Sequence, residues 1–391
     1  MKYFFILGNN PSVSVAELSA VLDLKEAKML APDFLLLNSQ DEINAEKMMN
    51  RLGGVVKIGV IRRESSNKQL INDTKEIAFA KKEISSDGKF NFGFSDYGKG
   101  SFNKKDLGIK LKNAFKEKEI SSRFVVSREK TLSSVVITQN KLIKRGIEIV
   151  LVKDDERILI GETLAVQDFK DFSKRDYGRP ARDDKSGMLP PKLAQMMINI
   201  AQVDNTDSHI LDPFCGSGTV LTEALIMGYR NLFGADISLE AIDNTKKNID
   251  WIKKKYEIEK CSVHLKTKNV LNLSKFVKID SVDYIITEPY LGPQRGQINF
   301  DAVTKELETL YSGALKEFKQ VLKKNGRVVM IWPLFYGSKP INPDYSGFKI
   351  ISSIPDHLVD HQIIKRSKRN TVVWSRDSQK VFREIVILEK E

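Results

Sequence analysis

The stretch Leu211-Asp-Pro-Phe-Cys-Gly-Ser-Gly-Thr219 decides the fold of this chain. The short apolar run His209–Leu211 leading into it predicts a buried strand, and Thr219–Met227 after it predicts a helix. Gly216 and Gly218 lack a Cβ, so the chain can turn tightly there and another molecule can approach the backbone closely. The following helix aims its first N–H groups at whatever sits in the turn. A Gly-x-Gly pair alone is often just a turn. One that follows a strand and opens a helix carries more weight as a ligand loop.

Downstream of this loop, strands expected at Leu232–Ala235, Ser262–Leu265, Val282–Thr287 and Arg327–Trp332 alternate with helices over Leu239–Lys255 and Ala302–Lys323. That alternation predicts an α/β fold of Rossmann-like type, a parallel sheet with helices on both faces. Thr371–Ser375 and Val381–Leu388 flank a polar turn and predict an antiparallel hairpin on the sheet edge. Upstream, residues 1–60 predict the order β-α-β-α-β, with strands at Tyr3–Leu7, Phe34–Leu37 and Val55–Val60 and helices from Ser14 and over Glu42–Arg51. This is a small ferredoxin-like domain. Residues 61–166 form a second block, with strands expected at Phe90–Phe94, Phe124–Val126, Ser134–Thr138, Ile147–Val152 and Ile158–Gly161 and a helix over Leu107–Lys116. Residues 167–187 form a polar linker in which Gly178, Pro180 and Gly187 argue against long elements. A helix opens at Pro190-Pro191, since proline suits a first turn, and residues 188–391 form the last domain.

Composition narrows the function classes. A chain of 391 residues is too long for one ordinary core. Two cysteines, Cys215 and Cys261, exclude a disulfide framework and have no metal-site spacing, which points to a reducing compartment, the cytoplasm. His357 and His361 have helical i, i+4 spacing but no third ligand, so no metal is expected. No apolar run reaches membrane-spanning length, and Tyr3–Leu7 is too short for a signal peptide. The net charge of +12 fits a polyanionic partner or a lysine-rich solvated surface. Its densest runs are Lys365-Arg-Ser-Lys-Arg369 and Lys253–Lys255.

Four segments carry the chemistry. Asp212 can meet the cationic end of a ligand or cap its own loop through an Asx-turn. Pro213 and Cys215 line the same loop, Cys215 as a small packing group rather than a nucleophile. Asp236 follows Gly216 by about twenty residues, the spacing at which an acid accepts hydrogen bonds from ribose hydroxyls. Helix capping is its other role, though Ser238 fits that better. The third glycine of a dinucleotide fingerprint is replaced by Leu221, which favours S-adenosylmethionine (SAM) over a nicotinamide. Asn269, after the third strand, is the candidate for the adenine edge, or a surface turn. Thr287-Glu288-Pro289-Tyr290 ends an apolar strand where such sheets line their crevice. An exocyclic amine is a poor nucleophile because its lone pair is delocalised into the ring. Acceptors aimed at its N–H bonds return density to nitrogen, and an aromatic face holds the base flat.

These motifs resemble a known family. Asp212-Pro-Phe-Cys-Gly-Ser-Gly-Thr219 resembles the SAM loop of class I amino-methyltransferases, and Thr287–Tyr290 sits where that family has Asp/Asn-Pro-Pro-Tyr/Phe. Arg175–Pro180 and Ser186–Ala194 look like the segment joining a THUMP domain to its methyltransferase domain. The resemblance is closest to the THUMP-domain tRNA guanosine N2-methyltransferases that act on guanosine 10. It implies a THUMP region at 61–166 that grips tRNA, SAM contacts at Asp212, Gly216, Gly218 and Asp236, and a base site at Thr287, Pro289 and Tyr290. The chain departs from the pattern at Thr287, which replaces an acid or amide, at Glu288, which replaces a proline and offers a carboxylate acceptor instead, and at Asn269, where Asp is common. An rRNA or DNA amino-methyltransferase, or an RNA-binding assembly protein that keeps SAM binding without transfer, are the competing readings.

Overall fold

The computed structural model describes residues 1–85, 88–182, 188–293, 299–377 and 379–391. The last five residues of the expected linker, 183–187, and with them Ser186 and Gly187 of the family-like segment, lie outside the described residues. The chain divides into two compact units. The first comprises residues 1–11, 23–50 and 55–169, and the second comprises 12–22, 51–54 and 170–391.

The first unit is built on one sheet. In chain order, β1 (Lys2–Leu7), helix α1 (Pro11–Val21, counted with the second unit from Ser12 on), β2 (Ala27–Ala31), β3 (Phe34–Asn38), α2 (Ala45–Arg51) and β4 (Val55–Ser65) come first. Next are α3 (Leu70–Glu83), β5 (Phe90–Tyr97), α4 (Lys104–Glu117), β6 (Ser122–Val125), α5 (Ser134–Gln139), β7 (Gly146–Asp154) and β8 (Arg157–Val166). The sheet order is β2-β3-β1-β4-β8-β7-β5-β6. Its first four strands have the β-α-β-β-α-β ferredoxin-like order. Phe90, Phe92 and Phe94 share one face of β5 and pack with Leu111 and Phe115 of α4, and Phe92 stacks on Phe124 with ring centroids 5.3 Å apart.

Three sequence expectations need correction here. The strand β2 was absent from the expected β-α-β-α-β order. Lys28 in it is drawn to Asp154 at 2.5 Å, so a polar side chain sits in a short strand without β-branched residues. Ser134–Thr138, expected as a strand from its Val-Val-Ile-Thr run, is helix α5. The Ser133 hydroxyl accepts from the Val136 N–H and starts a helical turn that overrides β-propensity. Leu70–Glu83, unassigned from the sequence, is a four-turn helix.

The second unit carries the parallel sheet. After α6 (Phe169–Tyr177) and α7 (Pro191–Ile200) come β9 (His209–Asp212), α8 (Thr219–Ile226), β10 (Asn231–Asp236), α9 (Leu239–Lys255), β11 (Ser262–Thr267) and β12 (Val282–Thr287). Then follow α10 (Phe300–Val321), β13 (Leu322–Phe335), β14 (Lys339–Pro340), β15 (Phe348–Ile350), α11 (Asp356–Val359), β16 (Val372–Trp374) and β17 (Val381–Lys390). The order is β11-β10-β9-β12-β13-β17-β15, parallel from β11 to β13, while β17 runs antiparallel and pairs with β15 and β16. Ile285, Ile286, Val328 and Val329 are fully buried, as central parallel strands require. The linker is less irregular than expected. Its start forms α6, because Arg175 bonds Glu223 of α8 at 2.8 Å and also pairs with Asp171 one turn back.

Segments 12–22 and 51–54 join this unit through a buried acid. The Glu17 carboxylate accepts from the N–H groups of Gly53 and Gly54 and from the Asn199 amide, each at 2.8 Å. Burial pushes its pKa up to about 7. Among the described residues no helix is long and apolar enough to cross a membrane.

Candidate functional site

The chain leaves β9 towards β10 on one side, while β12 lies against the other side of β9. A crevice opens at such a switch point, outside the carboxyl ends of the strands. The loop 212–219, Asp236, Lys268-Asn269 and Thr287–Tyr290 are the segments that leave β9, β10, β11 and β12 at that edge.

Backbone conformation accounts for the loop. Gly216 has φ +51° and Gly218 φ +83°, values that favour glycine. Their reasons differ. A Cβ on Gly218 would lie 2.8 Å from the Thr245 methyl group, so α8 could not close against α9. A Cβ on Gly216 would meet nothing within 4 Å, so this glycine borders open space. Thr245 donates to the Gly216 carbonyl at 2.7 Å, and Asn248 donates to the carbonyls of Ser217 at 2.8 Å and Ala181 at 2.9 Å. Arg179 donates to the Thr219 hydroxyl at 2.7 Å. The segment after α6 is thereby clasped to the glycine loop. No side chain caps the N-terminus of α8, so its first N–H groups are available to a ligand.

Asp212 is buried, and its Oδ1 accepts from the Phe214 N–H at 3.2 Å and from the Thr287 hydroxyl at 2.7 Å. The first bond is the Asx-turn. The second joins the glycine loop to the end of β12. Burial, with the charges of Asp236 and Glu288 adding to it, pushes the Asp212 pKa up to about 7 against the pull of these two bonds. Asp236 accepts from the N–H groups of Gly216 at 3.0 Å and Ser238 at 2.9 Å. Ser238 itself caps α9 through the Ala241 N–H. Asp236 and, when ionised, Asp212 give the crevice acids that can meet a cation, while Glu288 is already paired with Arg383.

The remaining expected residues fall into place as follows. Pro213 and Cys215 are buried. The Cys215 N–H donates to the Ala235 carbonyl at 3.0 Å, and burial holds its thiol well above its ordinary pKa, consistent with packing. Asn269 is exposed and caps the turn that follows by accepting from the Leu271 N–H at 2.9 Å. Its neighbour Lys268 donates its N–H to the Asp236 carbonyl at 2.8 Å. Thr287 is fully buried and Pro289 is buried. Glu288 pairs with Arg383 of β17 at 2.6 Å. Tyr290 is 53% exposed, and its carbonyl accepts from the buried Tyr311 hydroxyl of α10 at 2.9 Å.

Sequence reasoning missed Arg383, Tyr311, Arg179 and the pair Thr245–Asn248. Only the last left a signal: two polar residues three apart on the otherwise apolar face of α9, an arrangement that calls for buried partners. Ile237, beside Asp236, is 72% exposed and offers an apolar surface at the same edge.

Comparisons with known proteins bear on the fold and on the family. Residues 179–334 match a family described as an RMKL-like methyltransferase domain, and residues 37–247, more than half of the chain, match one described as a DNA methylase. A probable tRNA (guanine(10)-N2)-dimethyltransferase of Methanothermococcus thermolithotrophicus is 30% identical over 39% of this chain and 83% of its own length. The chain belongs to the methyltransferase family to which the second of these matches and this relative point. The tRNA (guanine(10)-N2)-dimethyltransferase of Methanocaldococcus jannaschii is 31% identical over 56% of each chain. The chain thus spans about half the length of the first such relatives, 56% and 49%. The crystal structure of TrmN from Thermus thermophilus shares the fold over the whole of both chains, with a TM-score of 0.57 at 16% identity.

Proposed function

We propose that this protein is a SAM-dependent methyltransferase acting on the exocyclic N2 amine of a guanosine in tRNA, guanosine 10. The observation that carries this reading is the Thr287–Asp212 bond, which puts a ligand loop and an exposed aromatic corner at one crevice. The names of the relatives support the substrate. The cationic preference of the acid cluster and the open space at Gly216 fit SAM, which supplies the methyl group from its sulfonium.

On the donor side, Asp212 faces the cationic amino-acid end, Gly216 and Gly218 let the backbone lie against it, and Pro213 and Cys215 wall the loop. Asp236 accepts from the ribose hydroxyls, and Asn269 with Ile237 borders the adenine. On the acceptor side, Tyr290 stacks under the flipped guanine. The Thr287 hydroxyl already donates to Asp212, so the acceptors for the guanine N–H bonds are backbone carbonyls at Thr287–Pro289 and the Glu288 carboxylate, held by Arg383. Pro289 fixes φ and brings no competing N–H. Orientation supplies much of the rate. Residues 61–166 act as a THUMP module that grips tRNA in the cytoplasm, and the basic surface makes that grip salt-sensitive.

Incubation with methyl-labelled SAM and either bulk tRNA or duplex DNA, followed by digestion to nucleosides, tests the reading. Label in N2-methylguanosine or N2,N2-dimethylguanosine from tRNA is expected. Label confined to methyladenine, or to DNA, defeats it.

A further inference from the structure

Strand β13 is the neighbour of β12, and beyond its carboxyl end lies a cavity of about 310 Å³ that the reading above leaves without a task. Its walls are the turn after β13 at Gly337-Ser338 and the basic run Lys365–Arg369. The single acid in the lining is Glu384.

The cations of this run are not equivalent. Arg369 donates to both oxygens of Glu384 at 3.3 and 3.2 Å and to Asn342 at 2.9 Å, and it lies over the Trp332 ring at 4.9 Å. Thr371 adds a third bond to Glu384 at 2.6 Å. Arg369 is therefore structural, and the acid is neutralised. Arg366 bonds Asn370 at 3.2 Å and lies 3.5 Å from the exposed Asp360. Lys365 and Lys368 are exposed, and among the described residues neither ammonium has a partner. The backbone under them is fixed, since the Ser367 N–H donates to the Thr371 carbonyl at 2.9 Å and Arg366 bridges to Val372. Two unpaired lysines on a fixed turn in the lining make this wall of the cavity attractive to an anion.

The position names the anion. Arg383 and Glu384 are consecutive on β17. The first holds Glu288 of the base corner, and the second anchors the basic turn. Successive side chains leave a strand on opposite faces, so the base corner and the basic turn lie on the two faces of β17, at the edge where β12 and β13 end. A nucleic acid strand laid across that edge meets both. Tyr336, in the same turn as Gly337, is 51% exposed and held at φ +52° by its N–H bond to the Lys380 carbonyl at 2.7 Å.

We propose that this cavity is a phosphodiester subsite for the RNA substrate, in which Lys365 and Lys368 grip a backbone phosphate further along the strand from the nucleotide held at Tyr290, and Tyr336 stacks on a base between them. The proposal rests on the methyltransferase reading above.

The test compares wild-type protein with the double variant Lys365→Gln, Lys368→Gln on a tRNA transcript. The expected result is a tRNA KM raised roughly tenfold at physiological salt, and a slope of log KM against log salt shallower by about 2. Turnover at saturating tRNA and SAM affinity stay unchanged, and Lys365→Arg with Lys368→Arg restores KM. An unchanged KM and slope in the Gln variant overturn the proposal. So does inorganic phosphate binding that depends on both lysines while the tRNA KM does not, which would mark a small-anion site. If the wild-type protein transfers no methyl group, the activity reading falls, and direct tRNA binding then decides the subsite. Binding weakened roughly tenfold in the Gln variant supports it, and equal binding overturns it.

Discussion

The glycine loop at 212–219 and the corner at 287–290 sit at the same sheet edge but are held in opposite ways. The loop is fixed by the buried groups Thr245 and Asn248 on its carbonyls and Arg179 on Thr219, and by the half-buried Asp236 on the Gly216 N–H. No residue of it is fully exposed. The corner is fixed from beneath, by Tyr311 on the Tyr290 carbonyl and Arg383 on Glu288, and it presents an exposed ring above that base. On the proposed reading, a donor bound in one pose is served by a rigid cradle, and a base that must arrive from a polymer is served by an exposed stacking face on a supported backbone. The direct bond from Thr287 to Asp212 sets the register of one against the other.

The division of labour can be broken from either side. The largest effect is expected from Tyr290→Ala, because stacking is worth about 1–3 kcal/mol and also orients the amine. Turnover on tRNA should fall roughly 100-fold with SAM affinity within about twofold. Unchanged turnover removes Tyr290 from the base site. Asp236→Ala comes next. Loss of charged hydrogen bonds should weaken SAM binding roughly thirtyfold while tRNA binding holds. Equal loss of both would make Asp236 a support of the fold rather than a ribose contact.

The smallest effect sharpens the comparison through pH. The ligand-free Asp212 carboxyl titrates near 7, because burial and two neighbouring acids disfavour its charge. A cationic ligand favours the carboxylate, so binding below that pKa must expel a proton. SAM affinity should therefore drop as pH falls through 7, by roughly tenfold per unit below it. Asp212→Asn should flatten the profile. Calorimetry at pH 6 and pH 8 that gives equal affinities for the wild-type protein would separate Asp212 from the ligand's cation.

How far the sequence discloses this depends on where each partner lies. Val282–Thr287 and Leu239–Lys255 form the elements expected of them, since one is a continuous buried run and the other a clean amphipathic repeat with Ser238 as cap. The bracketing of the loop by β9 and α8 is legible for the same reason. Elements whose partners are remote are not. The strand at Ala27–Ala31 gains its place from β3 and from Asp154, and α6 gains its place from Glu223 and Asp171. Its nine residues carry five charges on a short helix with no long apolar face. The roles of Thr287 and Glu288 are set by Asp212 and Arg383, residues that only the folded sheet brings near. A reading by position offers the Glu288 carboxylate in place of the acid or amide that Thr287 replaces. The fold adds what position cannot: the Thr287 hydroxyl is already a donor to Asp212, and Glu288 is paired with Arg383.

A structure of the protein with a non-reactive SAM analogue and a short guanosine-containing RNA tests the central claim most directly. The account predicts the analogue against Gly216, with its transferable position in van der Waals contact with a guanine N2 amine whose ring lies on Tyr290. An analogue bound away from the 212–219 loop, or a base stacked elsewhere than on Tyr290, would contradict it.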